Sequence, residues 1–336
     1  MRGQGWRSLL KIGVFHEKRR VPAMKPALLV LNLQVPAHLQ QMEQTFADFD
    51  VIYAPEADEA EAAIAAHGAR VQCVCTIGAT GLSAAQMQRM PGLSLVCAMG
   101  AGYENIDVAY AKAHGIAVGN GVGTNDDCVA DHAMGLLIAA VRGIVKLDKA
   151  TRAGIWRSAL PLPANVSGKR LGIVGLGQIG AKIARRAAAF DMSVGYHNRK
   201  PREGVEHQYF DDLLALAAWA DVLLVATPGG AGTRHLINAE VLEALGEKGV
   251  LVNIARGSVV DTQALADAVR AGRLAGAGLD VYESEPLPPQ ELIDLDAVVL
   301  TPHVGGWSPE AVQNSVDRFI ANMRCHLDGK PLVSPI

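Results

Sequence analysis

Three short segments carry side chains suited to acid, base and anion chemistry: "NIARGSVVD" with Arg256, "GLDVYESEP" with Glu285, and "LTPHVGGWS" with His303. An imidazole titrates near neutral pH and can hand a proton to an oxygen atom. A carboxylate beside it favours the protonated ring and fixes its orientation, and a guanidinium can bind an anion or polarise a carbonyl. Taken singly, a histidine after a strand is more often structural, and a lone arginine or glutamate is more often half of a surface ion pair. All three segments, however, follow apolar runs that read as strands, and in an open α/β sheet the carboxyl ends of the strands face the ligand crevice.

A fourth stretch says what could work with them. In "LGIVGLGQIGAKIARRAAAF", Gly175, Gly177 and Gly180 form G-x-G-x-x-G directly after a short apolar strand and directly before an Ala-rich helix. Gly175 permits the tight turn, and Gly177 lets a pyrophosphate approach backbone N–H groups, with Gln178 and Ile179 opening the helix. Gly180 lets helix and strand pack closely, and the helix N-terminus attracts phosphate. The next strand, "MSVGYHN", ends where an Asp or Glu would bind the ribose hydroxyls of NAD, yet the residues there are His197, Asn198, Arg199 and Lys200. A carboxylate would repel a 2′-phosphate. Arg199 offers a planar fork for one, Lys200 a point charge and Asn198 an uncharged donor. The expected cofactor is NADP(H), with NAD(H) possible.

The elements that must position these groups follow from periodicity. After Met24, apolar runs such as "ALLVLN", "VQCVCT", "LSLVCA" and "GIAVGN" alternate with amphipathic segments, the pattern of a parallel sheet covered by helices. A long helical stretch, Asp126 to Leu147, precedes a second and fuller series through "KRLGIVGLG", "MSVGYHN", "ADVLLVATP", "GVLVNIARG", "GAGLDV" and "AVVLTPH". The last amphipathic helix, "SPEAVQNSVDRFIANMRCHL", has no strand pattern after it and is free to return to the first series. The expected fold is therefore α/β, with two doubly wound parallel-sheet domains of the Rossmann type and a cleft between them. The first domain comprises 24–122 with 307–336, flavodoxin-like and substrate-binding, and the second, dinucleotide-binding, comprises 123–306.

Composition agrees with that reading. A chain of 336 residues is long for one domain. With 50% hydrophobic residues and a net charge of -3, it is neither disordered nor a polyanion binder by bulk electrostatics. No nucleic acid and no membrane is expected as partner. The five cysteines lack C-x₂-C spacing, so no metal site is expected; Cys73 and Cys75 alternate along a buried strand, and a reducing cytoplasm fits best. The basic leader 1–23 ahead of Met24 reads as an appended or disordered segment.

With these motifs in this order, the chain from Met24 onward resembles the D-isomer-specific 2-hydroxyacid dehydrogenases. The resemblance implies Arg256, Glu285 and His303 as the catalytic set. His303 would be the proton donor to a 2-oxo acid, Glu285 its partner, and Arg256 the group that holds the substrate carboxylate. It further places Asp280 at the nicotinamide carboxamide, and Thr227 and Pro228 beside the adenosine end. There "ATPGGAGTRHL" departs from the commoner family loop by carrying Gly229 and Gly230. "AMGAGYENIDV" resembles the substrate-carboxylate loop, with the N–H groups of Ala101 and Gly102 as donors, and "CTIGATGL" supplies Ile77 and Gly78 from the opposite wall. Tyr103 and Trp307 are candidates for the pocket lining. The implied assembly is a homodimer, with the region around Trp156 reaching across.

Within the family the basic loop is closest in character to NADPH-dependent glyoxylate/hydroxypyruvate reductases and 2-ketogluconate reductases. The expected reaction is reduction of a small 2-oxo acid to the D-2-hydroxy acid. A dinucleotide-sensing, corepressor-like binding protein of the same fold is the alternative.

Overall fold

The computed structural model describes residues 24–336; the leader 1–23 lies outside the described residues. Two all-parallel sheets account for the architecture. The first contains β1 (Ala27–Val30), β2 (Asp50–Tyr53), β3 (Val71–Ile77), β4 (Leu95–Met99) and β5 (Ala117–Gly119), in the order β2-β1-β3-β4-β5. Successive side chains on a strand point to opposite faces, so each strand feeds two cores. Leu29, Val74 and Val96 pack on one face with Ile64 of α2 (Ala57–His67). Leu28, Cys73, Cys75 and Cys97 pack on the other with Phe319 and Met323 of α11 (Pro309–Leu327). The alternating cysteines therefore serve as small apolar packing groups, and burial pushes the thiols of Cys73 and Cys97 up to about 12.

The second sheet contains β6 (Arg170–Val174), β7 (Ser193–His197), β8 (Gln208–Phe210), β9 (Val222–Val225), β10 (Val250–Asn253), β11 (Gly276–Leu279) and β12 (Val298–Leu300). Their order is β12-β11-β10-β9-β6-β7-β8. The register places His197, Val174, Val225, Asn253, Leu279 and Leu300 in one row across this sheet. Every loop that carries a polar site residue leaves the sheet just beyond that row, so aligned strand ends rather than sequence proximity bring those residues together. In the first sheet Ile77 is likewise paired with Met99, which aligns the loops starting at Gly78 and Gly100.

The long helix expected from Asp126 to Leu147 is instead two. α5 (Asp126–Arg142) ends at Gly143, whose φ of 61° takes the left-handed cap, and α6 (Ile144–Arg152) departs at 60°. Helix α5 lies close on the second sheet because Gly278 has no side chain beneath Leu136. Two strands not anticipated from the sequence, β2 and β8, are the outer edge strands of their sheets. Each is short and only half-buried, so neither carries a long apolar run.

The chain passes between the two sheets twice, before α5 and before α11, and the first passage is held against α11. Thr124 Oγ1 and Ser315 Oγ are 2.8 Å apart, and Arg318 donates to the Val122 carbonyl. The terminal residues return to β5, where the Ile336 N–H donates to the Val118 carbonyl. No single helix among the described residues is long and apolar enough to cross a membrane.

Candidate active site

A cleft of about 740 Å³ separates the sheets and is lined from both sides, by Ile77, Ala101 and Gly102 and by Arg256, Asp280 and His303. His303 Nδ1 lies 2.7 Å from Glu285 Oε2. The other carboxylate oxygen of Glu285 accepts the Tyr282 N–H at 2.7 Å, which fixes the carboxylate against its own loop. The Glu285 hydrogen bond raises the His303 titration above its ordinary 6.5, against opposing effects of burial and of the Arg256 charge. Burial pushes Glu285 upward, but the bonds from His303 and Tyr282 outweigh it and hold the carboxyl below its ordinary range. The pair thus favours imidazolium beside carboxylate.

The backbone of His303 has φ 55°, a left-handed conformation that side-chain-bearing residues rarely adopt. Its N–H donates to the carbonyls of Asp280 and Thr301, and Asp280 pins the following turn. Asp280 accepts from Thr301 Oγ1 at 2.6 Å and from the N–H groups of Val304 and Gly305, and His132 Nε2 stands 3.2 Å away. Burial opposes its ionisation, yet the His132 and Thr301 bonds prevail and keep it a carboxylate. Asp280 therefore lines the cleft while holding the His303 loop in an otherwise costly conformation.

Arg256 lines the cleft with its side chain held close by backbone from both domains. A Cβ on Gly229 would lie 2.7 Å from its Cγ, and one on Gly102 would lie 2.3 Å from Nη2. Gly229, the departure from the commoner family loop, thereby makes room for the arginine stem. Nη1 donates to the Ala255 carbonyl at 2.6 Å, and Nε donates to Glu104 Oε1 at 2.9 Å across the cleft.

The glycine turn has the geometry of a phosphate cradle. Gly175 has φ 99° and runs against the backbone at Ala226 and Thr227, and a Cβ on Gly180 would stand 2.5 Å from the Gly175 carbonyl. Around Gly177 the space is open, and Gly177 and Gln178 are exposed at the head of α7 (Gln178–Ala188), with Ile179 turned partly into the cleft. These glycines therefore fit a dinucleotide: two are required by local packing, and the third leaves the approach clear.

Beyond β7 the basic stretch divides. His197 is bonded to the Phe210 carbonyl, and Asn198 Oδ1 accepts the Leu176 N–H, so both brace the fold, and the amide NH2 of Asn198 remains to donate to a ligand. Arg199 and Lys200 are exposed. Arg202 joins them, with its guanidinium on the carbonyls of Leu176 and Gly177. Thr227 and Pro228 follow β9 beside the turn, and Pro228 is exposed.

In the first domain the Ala101 carbonyl is held by Asn120 Nδ2, and among the described residues the N–H groups of Ala101 and Gly102 donate to no protein acceptor. Gly78 lies against Gly102, and Trp307 lines the cleft. Tyr103 is exposed and is not among the cleft-lining residues. Glu104, His132 and Arg202 were not anticipated. Arg202 had a signal in the basic run "NRKPR", whereas Glu104 and His132 find their partners only in the folded chain.

Residues 134–305 match the family model described as D-isomer specific 2-hydroxyacid dehydrogenase, NAD binding domain. A hydroxyphenylpyruvate reductase from Plectranthus scutellarioides is 41% identical over 257 residues, covering 76% of this chain and 82% of that protein. The 2-ketogluconate reductase of Gluconobacter oxydans is 35% identical over 313 residues, covering 93% and 99%. Among solved structures, an NADPH-dependent glyoxylate/hydroxypyruvate reductase from Sinorhizobium meliloti, in complex with NADP and malonate, superposes with a TM-score of 0.85 at 37% identity, covering 93% of this chain and 97% of that one. Fold, glycine turn and matched length lead to one conclusion: this chain belongs to the D-isomer-specific 2-hydroxyacid dehydrogenases, a family of nicotinamide-dinucleotide oxidoreductases.

Proposed function

We propose that the protein reduces a small 2-oxo acid of the glyoxylate, hydroxypyruvate or 2-ketogluconate type to the D-2-hydroxy acid, with NADPH preferred over NADH. The observation that carries this reading is the 2.7 Å His303–Glu285 pair facing a cleft that Arg256 also lines, at the same sheet edge as the glycine turn. The relatives named as reductases of such acids support the substrate class.

Gly175, Gly177, Gln178, Ile179 and Gly180 would hold the pyrophosphate, Thr227 and Pro228 the adenosine side, and Asp280 the nicotinamide side. Arg199 and Lys200, with the Asn198 amide NH2, would bind a 2′-phosphate; the exposed charge at this point and the absence of a carboxylate there support NADPH. When bound, the reduced cofactor supplies the hydride. Arg256 and the N–H groups of Ala101 and Gly102, beside Ile77 and Gly78, hold the substrate carboxylate. His303 presents Nε2 to the carbonyl oxygen, donates its proton as negative charge develops there, and is left neutral with Nδ1 still on Glu285.

The division into 24–122 with 307–336 and 123–306 suits this use, because it places the two hinge passages at the base of the cleft. A homodimer is part of the proposal, supported by exposed apolar side chains on and after α6, where Trp156 is 71% and Leu162 98% accessible. Free buried cysteines suit a reducing cytoplasm.

The test is NADPH oxidation over a panel of 2-oxo acids ranked by kcat/KM, with NADH in parallel. Turnover favouring NADPH is expected. Equal or better use of NADH overturns the cofactor preference, and dinucleotide binding without turnover of any acid would favour the corepressor-like alternative.

A further inference from the structure

Glu104 stands where the substrate carboxylate is to bind. A Cβ added to Gly78 or to Gly102 would lie 2.7 Å from Glu104 Oε2, and neither glycine has the positive φ that would require glycine for backbone reasons. Space is what their lack of side chains provides, and the Glu104 carboxylate shares it with the Gly102 backbone at Gly78 and with Arg256 Nη2 at Gly102. The niche between Gly78, Gly102 and Arg256 thus already receives a carboxylate, the protein's own.

The donors of Arg256 sharpen the point. A guanidinium binds a carboxylate in bidentate fashion through two adjacent N–H groups along one edge. Nη1 spends one of its two N–H groups on the Ala255 carbonyl. The edge formed by Nε and Nη2 faces the first domain, where Nε is held by Glu104 at 2.9 Å and Nη2 lies against Gly102. Both side chains are about one-third accessible, 34% for Arg256 and 36% for Glu104, so the pair can exchange partners without unpacking a core.

We propose that Glu104 is a further residue of the substrate-carboxylate subsite, an internal carboxylate that competes with the 2-oxo acid for the Nε edge of Arg256. Binding of substrate is an exchange of one carboxylate for another, and Glu104 sets its affinity by the strength of the pair it must release. This inference rests on the assignment of Arg256 to the substrate carboxylate, and on no step of the reduction itself.

The test is calorimetric titration of oxamate, a non-reducible 2-oxo acid mimic, into the full-length protein with NADPH, comparing wild type, Glu104→Gln and Glu104→Ala. Glu104→Gln keeps length and one acceptor but loses the charge. It is expected to bind oxamate about five-fold more tightly, the factor that corresponds to releasing a part-exposed ion pair. Glu104→Ala should tighten binding at least as much. Equal or weaker oxamate binding in both variants would show that Glu104 orients Arg256 rather than competing for it, and would overturn the proposal. Because the readout is binding, it stands apart from the turnover panel, whose failure would remove the reductase assignment and leave the oxamate comparison readable.

Discussion

Replacing Glu285 by glutamine probes the proposed acid most directly. The glutamine side chain has the same length but one acceptor oxygen where the carboxylate uses two, so it can accept from His303 Nδ1 or from the Tyr282 N–H, and the charge is lost. A hydrogen bond to a charged group contributes about 1.5–3 kcal/mol, and the side chains here, 43% accessible for His303 and 31% for Glu285, reduce that by solvent screening to roughly 1–2 kcal/mol. If that energy sustains the protonated imidazole, kcat/KM for reduction above neutral pH should fall by about 5- to 30-fold. The sign follows from the raised His303 titration, caused first by the Glu285 bond. The proton-donating form is complete at low pH and is lost as pH rises through the folded-state value. Removing the charge leaves burial and the Arg256 charge to move that loss to lower pH, so the deficit should be largest on the alkaline side and shrink as pH falls toward the range where the ring is protonated in both proteins. The assay is NADPH oxidation with glyoxylate across the pH range, with the alkaline limb fitted for both proteins. An alkaline limb that does not move, with kcat/KM within two-fold at every pH, would refute the assignment of His303 as a donor tuned by Glu285.

His303→Ala should cut kcat by about 10²- to 10⁴-fold while NADPH binding, followed by fluorescence, persists; near-normal turnover would remove His303 from the acid role. Arg199→Ala should reduce kcat/KM with NADPH by about 10- to 100-fold and leave NADH little changed, as measured in parallel initial rates. Phe319→Ala, at a side chain only 2% accessible between α11 and the first sheet, should destabilise the fold by about 3–5 kcal/mol in denaturant unfolding.

The parts of the fold visible in the sequence are those in which one local pattern suffices. Buried central strands such as Val222–Val225, and Val250–Asn253 up to its terminal asparagine, are apolar runs, because both faces of a parallel sheet are covered. The edge strands Asp50–Tyr53 and Gln208–Phe210 escaped notice because an edge needs less burial, and the break at Gly143 because the apolar period continues across it. That glycine, inside "AVRGIVK", is nonetheless the local mark of a helix end.

By itself the sequence determined which chemistry is available: a glycine turn between strand and helix, a basic residue where a ribose acid was expected, and an Arg, a Glu and a His after successive strands. Those features are local, and side-chain type with spacing is enough to state them. Tertiary structure alone decided how they are used. Strand register put His303 beside Glu285, Asp280 was turned into a brace for the His303 loop, and His197 and Asn198 were drawn into the fold while Arg199 was left outside. The way the two sheets face each other across the cleft puts Glu104 beside Arg256, 152 residues away in the chain, a pairing with no sequence period.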